Sequence, residues 1–511
     1  MLLSPARPRV RRRPQRSRLR FLPAPTGWIS DRGLSQFEPR DAIALRNVIS
    51  NEEGLVTRPG YTEHVTAIGS AVRRVLGYEG LTTAKLFAAT DDSIFDVTTA
   101  GTAGAASITS LNSGMWTGTM FATTGGQFLY ITNGYDAPRY YDGSTWTTPT
   151  ITGVTASNLW RHTVHQNRLW FIQKDTQKAW YLPAANLAGA ATSIDFGPFS
   201  RLGGTLHAIA SWTRDGGSGM DDVVLFLMST GEAHLYAGYD PSDPGAWTKT
   251  GTFYLPPPIG CSCTIKYGSD VGIITETGVV PLSGVLSAAR SDQQRVAATE
   301  NIGAEFQAVA SNRSVAGWQI LEWPEKALAL VNIPITAGTT YYQYVYSTTG
   351  GGWSEWRDLN ATSWAHVDSN MYFGTTDGRV CKMGGAADNG SEINATIIHR
   401  FDQYGALGEK FLRRVRTQIF GPSGYQPHVG VRSNFDANTD IFSAQAYQTI
   451  GPEWDVAEWD VASWGVASNA NSNWVVARGK GHHLALVIQM ATTEQVTYNG
   501  SQVMFEVGDL V

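Results

Sequence analysis

Cysteine is scarce: the 511 residues contain three, Cys261, Cys263 and Cys381. An odd number in so long a chain argues against a disulfide framework, and the single residue between Cys261 and Cys263 would strain a bridge joining them. Folding in a reducing cytoplasm is the expectation. No run of about 18 apolar residues occurs, so no segment is expected to cross a membrane as a helix. The arginine-rich start lacks the apolar stretch of a signal peptide, Leu19-Arg20-Phe21-Leu22-Pro23 being too short. Acid is missing from the first 30 residues, Asp31 being the first. Arg7, Arg9, Arg11, Arg12, Arg13, Arg16, Arg18 and Arg20 crowd the same stretch. With those eight charges set aside, the net −5 of the chain becomes about −13 on the remainder, a mildly acidic body carrying a basic arm.

Catalytic and metal-binding constellations are also missing. Glycoside hydrolysis needs two carboxylates held across a pocket, but Asp221-Asp222, Glu276 and Asp377 sit in or beside hairpin turns, where acids act as caps. Asp142-Gly143-Ser144-Thr145-Trp146 is part of a sialidase Asp-box without its leading Ser-x-Asp. His162 and His165, three apart on a strand, would face opposite sides, and His482-His483 has no Cys or acid beside it. Cys261 and Cys263 lack the second pair that a tetrahedral zinc site requires. No Gly-rich phosphate loop joins a strand to a helix. The expectation is a non-enzyme without metal or cofactor.

What the chain does have is a recurring turn-centred pattern. Met371–Met383 (MYFGTTDGRVCKM) reads as strand, tight turn, strand, with Asp377-Gly378 as the turn dipeptide. Similar units begin at Leu86, Leu129, Leu169, Val224, Gly272 and, more loosely, Leu328 (to Ile335), at intervals between 40 and 57 residues. That period matches four-stranded propeller blades. Gly at 54 and aromatics at 11% fit many short strands and tight turns. The fold expected is all-β: a β-propeller of about six to eight blades over 72–385, after a basic extended arm (1–26) and a platform segment (27–71), and before a C-terminal β domain (386–511). Ala42–Val48 reads as a short helical turn. Ile302, Phe306 and Val309 form one apolar stripe between Thr299 and Ala310, a short helix. Ile393–Phe401, Phe411–Phe420, His428–Ser433 and Leu484–Gln489 read as strands. Trp454, Trp459 and Trp464 recur every five residues, a period of neither strand nor helix. They are candidate interface aromatics or pins for their own loop. The arginines of the arm read as a solvated tail, as a contact to a neighbouring subunit, or as a non-specific partner for phosphates.

The residues Gly27–Tyr61 (GWISDRGLSQFEPRDAIALRNVISNEEGLVTRPGY) carry a resemblance. So do Trp160–Trp170 with Ala179-Trp180-Tyr181, Ile259–Leu282, Trp318–Pro334, Trp353–Trp356 leading into Met371, and the EWDVAEWDVASWGV stretch. In this order they resemble the tail nozzle proteins of short-tailed bacteriophages, a group including the tail tubular protein B type and tail-hub "DNA stabilisation" proteins. The resemblance covers most of the chain by pattern, with no single diagnostic motif. It implies a structural virion protein made in the host bacterial cytoplasm and placed in the tail. It further implies a homohexameric ring below the portal and adaptor ring, passing viral double-stranded DNA and docking fibres or a needle tip. The acidic body suits a lumen that does not grip phosphates. The alternative is a carbohydrate- or receptor-binding propeller whose aromatics stack on sugars, worth keeping because the chain has 17 tryptophans.

Overall fold

The structure is a computed structural model; it describes residues 17–215, 220–288, 292–293, 295–336, 338–422, 424–436 and 469–508. It is nearly all β, 53% strand and 5% helix, and divides into many small antiparallel sheets. The first three sheets are built from Arg74–Glu79, Ala84–Ala89 and Ile94–Asp96; then Thr117–Thr123, Gly126–Thr132, Arg139–Tyr141 and Trp146–Thr147; then Leu159–His165, Arg168–Gln173, Lys178–Tyr181 and Thr192–Asp195. The fourth holds Leu206–Asp215, Met220–Met228, Glu232–Gly238 and Trp247–Tyr254, and the fifth Thr264–Tyr267, Asp270–Thr275 and Gly278–Pro281. The sixth begins with Gln319–Trp323, Leu328–Thr336, Thr340–Ser347 and Gly352–Trp356. The seventh is Ala361–Val367, Asn370–Thr375 and Val380–Met383, completed by Tyr61–Thr66 from before the first sheet.

The first strand of each sheet touches the first strand of the next, and that of the seventh touches that of the first. The contacts therefore close into a ring. Separate apolar clusters fill the gaps: Leu76, Phe87, Trp116 and Ile131 between sheets one and two, Trp170, Phe226 and Met228 between three and four, Trp356, Trp364 and Phe373 between six and seven. A sheet covered on both faces needs apolar residues at consecutive positions of its middle strand. Leu169–Ile172 and Val271–Thr275 are buried throughout accordingly. The outermost strand of the third sheet, Thr192–Asp195, has one free edge and stays largely polar and exposed.

A second body flanks the ring. One of its sheets joins Arg18–Pro23, Val48–Asn51, Gly54–Thr57, Lys410–Gly421, Asn469–Asn471, Trp474–Gly481 and Thr497–Val507. The facing sheet joins Asp41–Arg46, Ile393–His399, Leu484–Thr492 and His428–Ser433, and continues into the sixth sheet of the ring where Arg46 pairs Glu355. Leu412, Val415, Val503 and Phe505 share a core with Ile397, Leu486 and Ile488, fixing the two layers together.

Several expectations change. The boundaries at 26 and 385 cut through hydrogen-bonded sheets: strands from both ends of the chain build the second body, and the C-terminal strands form no unit of their own. Ala42–Val48 is no helical turn. Asp41–Arg46 is a strand paired with Ile393–His399, and Asn47 at φ 54 breaks it from the next strand. The cause is tertiary pairing, which overrides weak local preference. The arm's last residues are a strand as well, Arg18–Pro23, because the edge of Thr497–Val507 offers its unpaired backbone groups. Leu328–Ile335 is one strand, whereas the other six hairpin units are each the second and third strands of a sheet. The helix at Gly303–Ala310 stands as expected, with Ile302 and Phe306 buried.

Candidate functional site

Because the first strands face one another, their side chains converge on the ring's axis. The cavity there has a volume of about 350 Å³ and takes lining residues from all seven sheets or the turns leading into them. Its wall is held by hydrogen bonds that step from sheet to sheet. Arg74 Nε donates to the Trp116 carbonyl (3.0 Å), and Thr132 Oγ1 to the Trp160 carbonyl (2.9 Å). Arg161 Nη1 donates to the His207 carbonyl, and the His207 ring meets the Gly260 carbonyl at 3.0 Å. Ile320 N donates to the Ser262 carbonyl (3.1 Å), Gln319 Nε2 to the Trp364 carbonyl (2.8 Å), and Val75 N to Ser363 Oγ (2.7 Å). Every seam is tied. Arg74 also crosses the axis, from Nη2 to Ser262 Oγ at 2.6 Å and from Nη1 to Gln319 Oε1 at 3.3 Å.

Electrostatically this wall is unusual. Arg74 and Arg161 line the cavity, and among the described residues no aspartate or glutamate does. Burial, with Arg161 nearby, lowers the pKa of Arg74. Burial drives His162 down to about 4 and, with help from Arg161, His207 to about 3, so both rings are neutral at physiological pH. Cys261 is on the rim, and burial pushes the Cys263 thiol up to about 11, which leaves it protonated and unreactive. All three cysteines are free.

Asp142, Asp222, Glu276 and Asp377, singled out from sequence, each have partners of their own, and the side chain of Asp221 lies outside the described residues. Asp142 caps its own turn, accepting from Thr145 N (2.7 Å) and Ser144 N (2.8 Å), which holds it at about 2. Asp377 pairs with Arg379 at 2.6 Å, Glu276 with Arg313, and Asp222 accepts from Gln166 at 3.0 Å. His162 faces Thr132 of the second sheet and His165 faces Ser211 of the fourth, on opposite sides of their strand. His483 meets Gln403 at 2.8 Å. Of the basic arm, Arg18 and Arg20 are exposed on their edge strand. Arg7, Arg9, Arg11, Arg12, Arg13 and Arg16 lie outside the described residues, as do Trp454, Trp459 and Trp464. Sequence reading missed Arg74 and Arg161. Arg74 opens a strand whose next two residues are apolar, whereas Arg161, followed by His162 and Thr163, carries no such signal.

No family model matches the chain, and no curated protein does. Among solved structures it is similar to BBS1N in complex with ARL6DN, soaked with mercury: 11% identity over 65% of this chain and 99% of that chain, TM-score 0.40. It is also similar to the computationally designed Ika8 protein, 10% identity over 63% and 99%, TM-score 0.35. No helix among the described residues is long and apolar enough to cross a membrane.

Proposed function

We propose that the chain is a structural virion protein, the nozzle subunit of a short phage tail, in which the seven sheets are the blades of a propeller and the second body is its assembly platform. The observation that carries this reading is the joining of a closed ring of sheets to a body made from both chain ends. The sixth sheet runs on into that body through the pairing of Arg46 with Glu355, a continuity suited to a wall. Tyr61–Thr66 completes the seventh sheet from the opposite end of the ring's sequence, which latches the circle without a covalent link. Such a disc has few free edges and displays loops that can change without disturbing it.

In this reading the DNA does not pass through the ring's own axis. Arg74, Trp116 and Gln319 line that space, and a cavity of about 350 Å³ is too small to pass a duplex. The conduit is the space enclosed by six copies. Arg18 and Arg20, exposed at the edge of the platform, are placed to meet a neighbouring copy, the adaptor ring or DNA phosphates. The turn-bound carboxylates fit a passive role without catalysis. The carbohydrate-binding alternative needs open aromatic faces; every described tryptophan is buried or half-buried, which leaves Tyr239, Phe199, Tyr135 and Tyr267 as the exposed rings it would use.

Light scattering on the purified chain, alone and mixed with the adaptor protein of the same particle, followed by negative-stain images, tests the reading. Six-membered rings enclosing a channel are expected in at least one condition. A compact monomer in both conditions that binds immobilised glycans sinks the nozzle and favours the alternative.

A further inference from the structure

Elsewhere in the molecule, several shielded arginines meet acids, Arg58 among them as the other arginine buried as deeply as the axial pair. Arg46 meets Glu355 at 3.1 Å, Arg58 meets Asp388 at 2.6 Å, Arg168 meets Asp240 at 3.2 Å, and Arg400 meets Asp402 at 2.7 Å. The two buried arginines of the axial cavity have no such partner. Arg74 is 4% exposed and Arg161 6%. Arg74 donates only to neutral acceptors, the Trp116 carbonyl, Gln319 and Ser262. Arg161 makes one described hydrogen bond, to the His207 carbonyl, and its guanidinium carbon lies 3.6 Å above the Trp160 ring. Its Nε is buried with no acceptor. Two buried guanidinium groups lining one cavity, with no carboxylate among its described lining residues, are disfavoured unless something negative sits between them.

We infer that the axial cavity binds a small oxyanion, a phosphate or carboxylate group carried by a small molecule, held between Arg161 and Arg74. A guanidinium presents five N–H donors in a planar fork matched to such groups. Arg161 keeps its second terminal nitrogen for the ligand, and its ring contact with Trp160 sets the plane of the fork. The hydroxyl of Ser262 and the thiol of Cys261, both on the wall, add neutral partners. A volume of about 350 Å³ lies within the range of small-molecule sites and excludes a polymer. Ligand binding here would tie the third sheet to the first across the axis, adding to the sheet-to-sheet hydrogen bonds. None of this draws on the nozzle reading.

Thermal unfolding and titration calorimetry test it with inorganic phosphate and citrate as probes, in Tris-chloride with ionic strength held by sodium chloride. The expected result is a saturable rise in melting temperature with at least one probe, and none with chloride at the same ionic strength. Arg161→Met should weaken that binding at least tenfold. Arg161→Lys, which keeps the charge but not the fork, should also weaken it and guards against a Met variant that does not fold. Arg413→Met, on the surface of the second body, should leave it unchanged. No saturable response from the unaltered chain, equal stabilisation by chloride, or undiminished affinity in both Arg161 variants overturns the assignment.

Discussion

Two buried arginine sites, one where the ring meets the second body and one on the ring's axis, use the same side chain in opposite ways. At the junction Arg58 has a side chain with no exposure, and all three of its nitrogens are occupied. Nε donates to Asn47 Oδ1 (3.0 Å), Nη1 to the Pro59 carbonyl (3.0 Å) and Asp388 Oδ1 (2.8 Å), Nη2 to the Arg357 carbonyl (3.2 Å) and Asp388 Oδ2 (2.6 Å). Asn47 in turn holds the Asn394 carbonyl and the Arg357 N–H. One guanidinium thus joins the chain's opening strands, the exit of the ring and the end of the sixth sheet. Its charge is neutralised bidentately and its donors face acceptors, which is the condition for a buried ion pair to hold a structure. The axial arginines meet only carbonyls, an amide, a hydroxyl and an aromatic face. The difference separates a charge kept for architecture from a charge left for a ligand.

The widest test of that contrast removes the junction cation. Arg58→Ala leaves the Asp388 carboxylate and the Asn47 amide without their partner in a dry site. Stability should drop by about 3–5 kcal/mol, read as a lower urea midpoint. Asp388→Asn should lose part of the same amount, since the bidentate pairing is gone while one acceptor remains. A fall of under about 1 kcal/mol for Arg58→Ala would remove the distinction on which the comparison stands.

How much of this was legible beforehand follows from where information sits along the chain. Middle strands packed on both faces read as short apolar runs between turn residues, so Leu169–Leu182 and Met371–Met383 were visible as hairpins. The innermost strands were harder to read because two of their turns lack glycine. Gln166-Asn167 and Asp368-Ser369 each have φ between 49° and 58° and join strands across two residues, the geometry that usually asks for Asn-Gly. The second body was legible only in pieces. Thr497–Val507 pairs with Arg18–Pro23, and Thr497 opposes Val56, partners more than 400 residues away that no local pattern announces. Arg74 and Arg161 have the same problem. A lone arginine in a strand ordinarily faces water, and only ring closure turns these two toward a shared axis.

A smaller effect comes from acid. His162 and His165 are held near 4 and His207 near 3, all by burial first, and all on the ring's third and fourth sheets; His399, also near 4, is in the second body. Above pH 6.5 folded and unfolded chains both carry neutral rings, and this contribution is fully present. Below it the unfolded chain takes up protons that the fold refuses, so stability falls as pH drops from 6.5 toward 4. Each buried ring accounts for on the order of 1–2 kcal/mol at pH 5. Hydrogen exchange at pH 5 should show sheets three and four losing protection before the second body does, and His162→Gln should make the pH dependence shallower. Uniform loss in both bodies would erase the regional difference.

The smallest expected change is the most discriminating, because it asks what Arg161 does for the fold when nothing is bound. Arg161→Met keeps a long flexible side chain over Trp160 and loses one hydrogen bond to the His207 carbonyl, worth about 1 kcal/mol. It also relieves a buried Nε without an acceptor and the repulsion between Arg161 and Arg74. Replacing a buried charge by an apolar group of similar size is often neutral or stabilising. In buffer free of oxyanions the two effects should leave stability within about 1 kcal/mol of the unaltered chain, where the same substitution at Arg58 costs several. Equal losses at both positions would mean that Arg161 is a structural residue like Arg58, its partner being the wall itself.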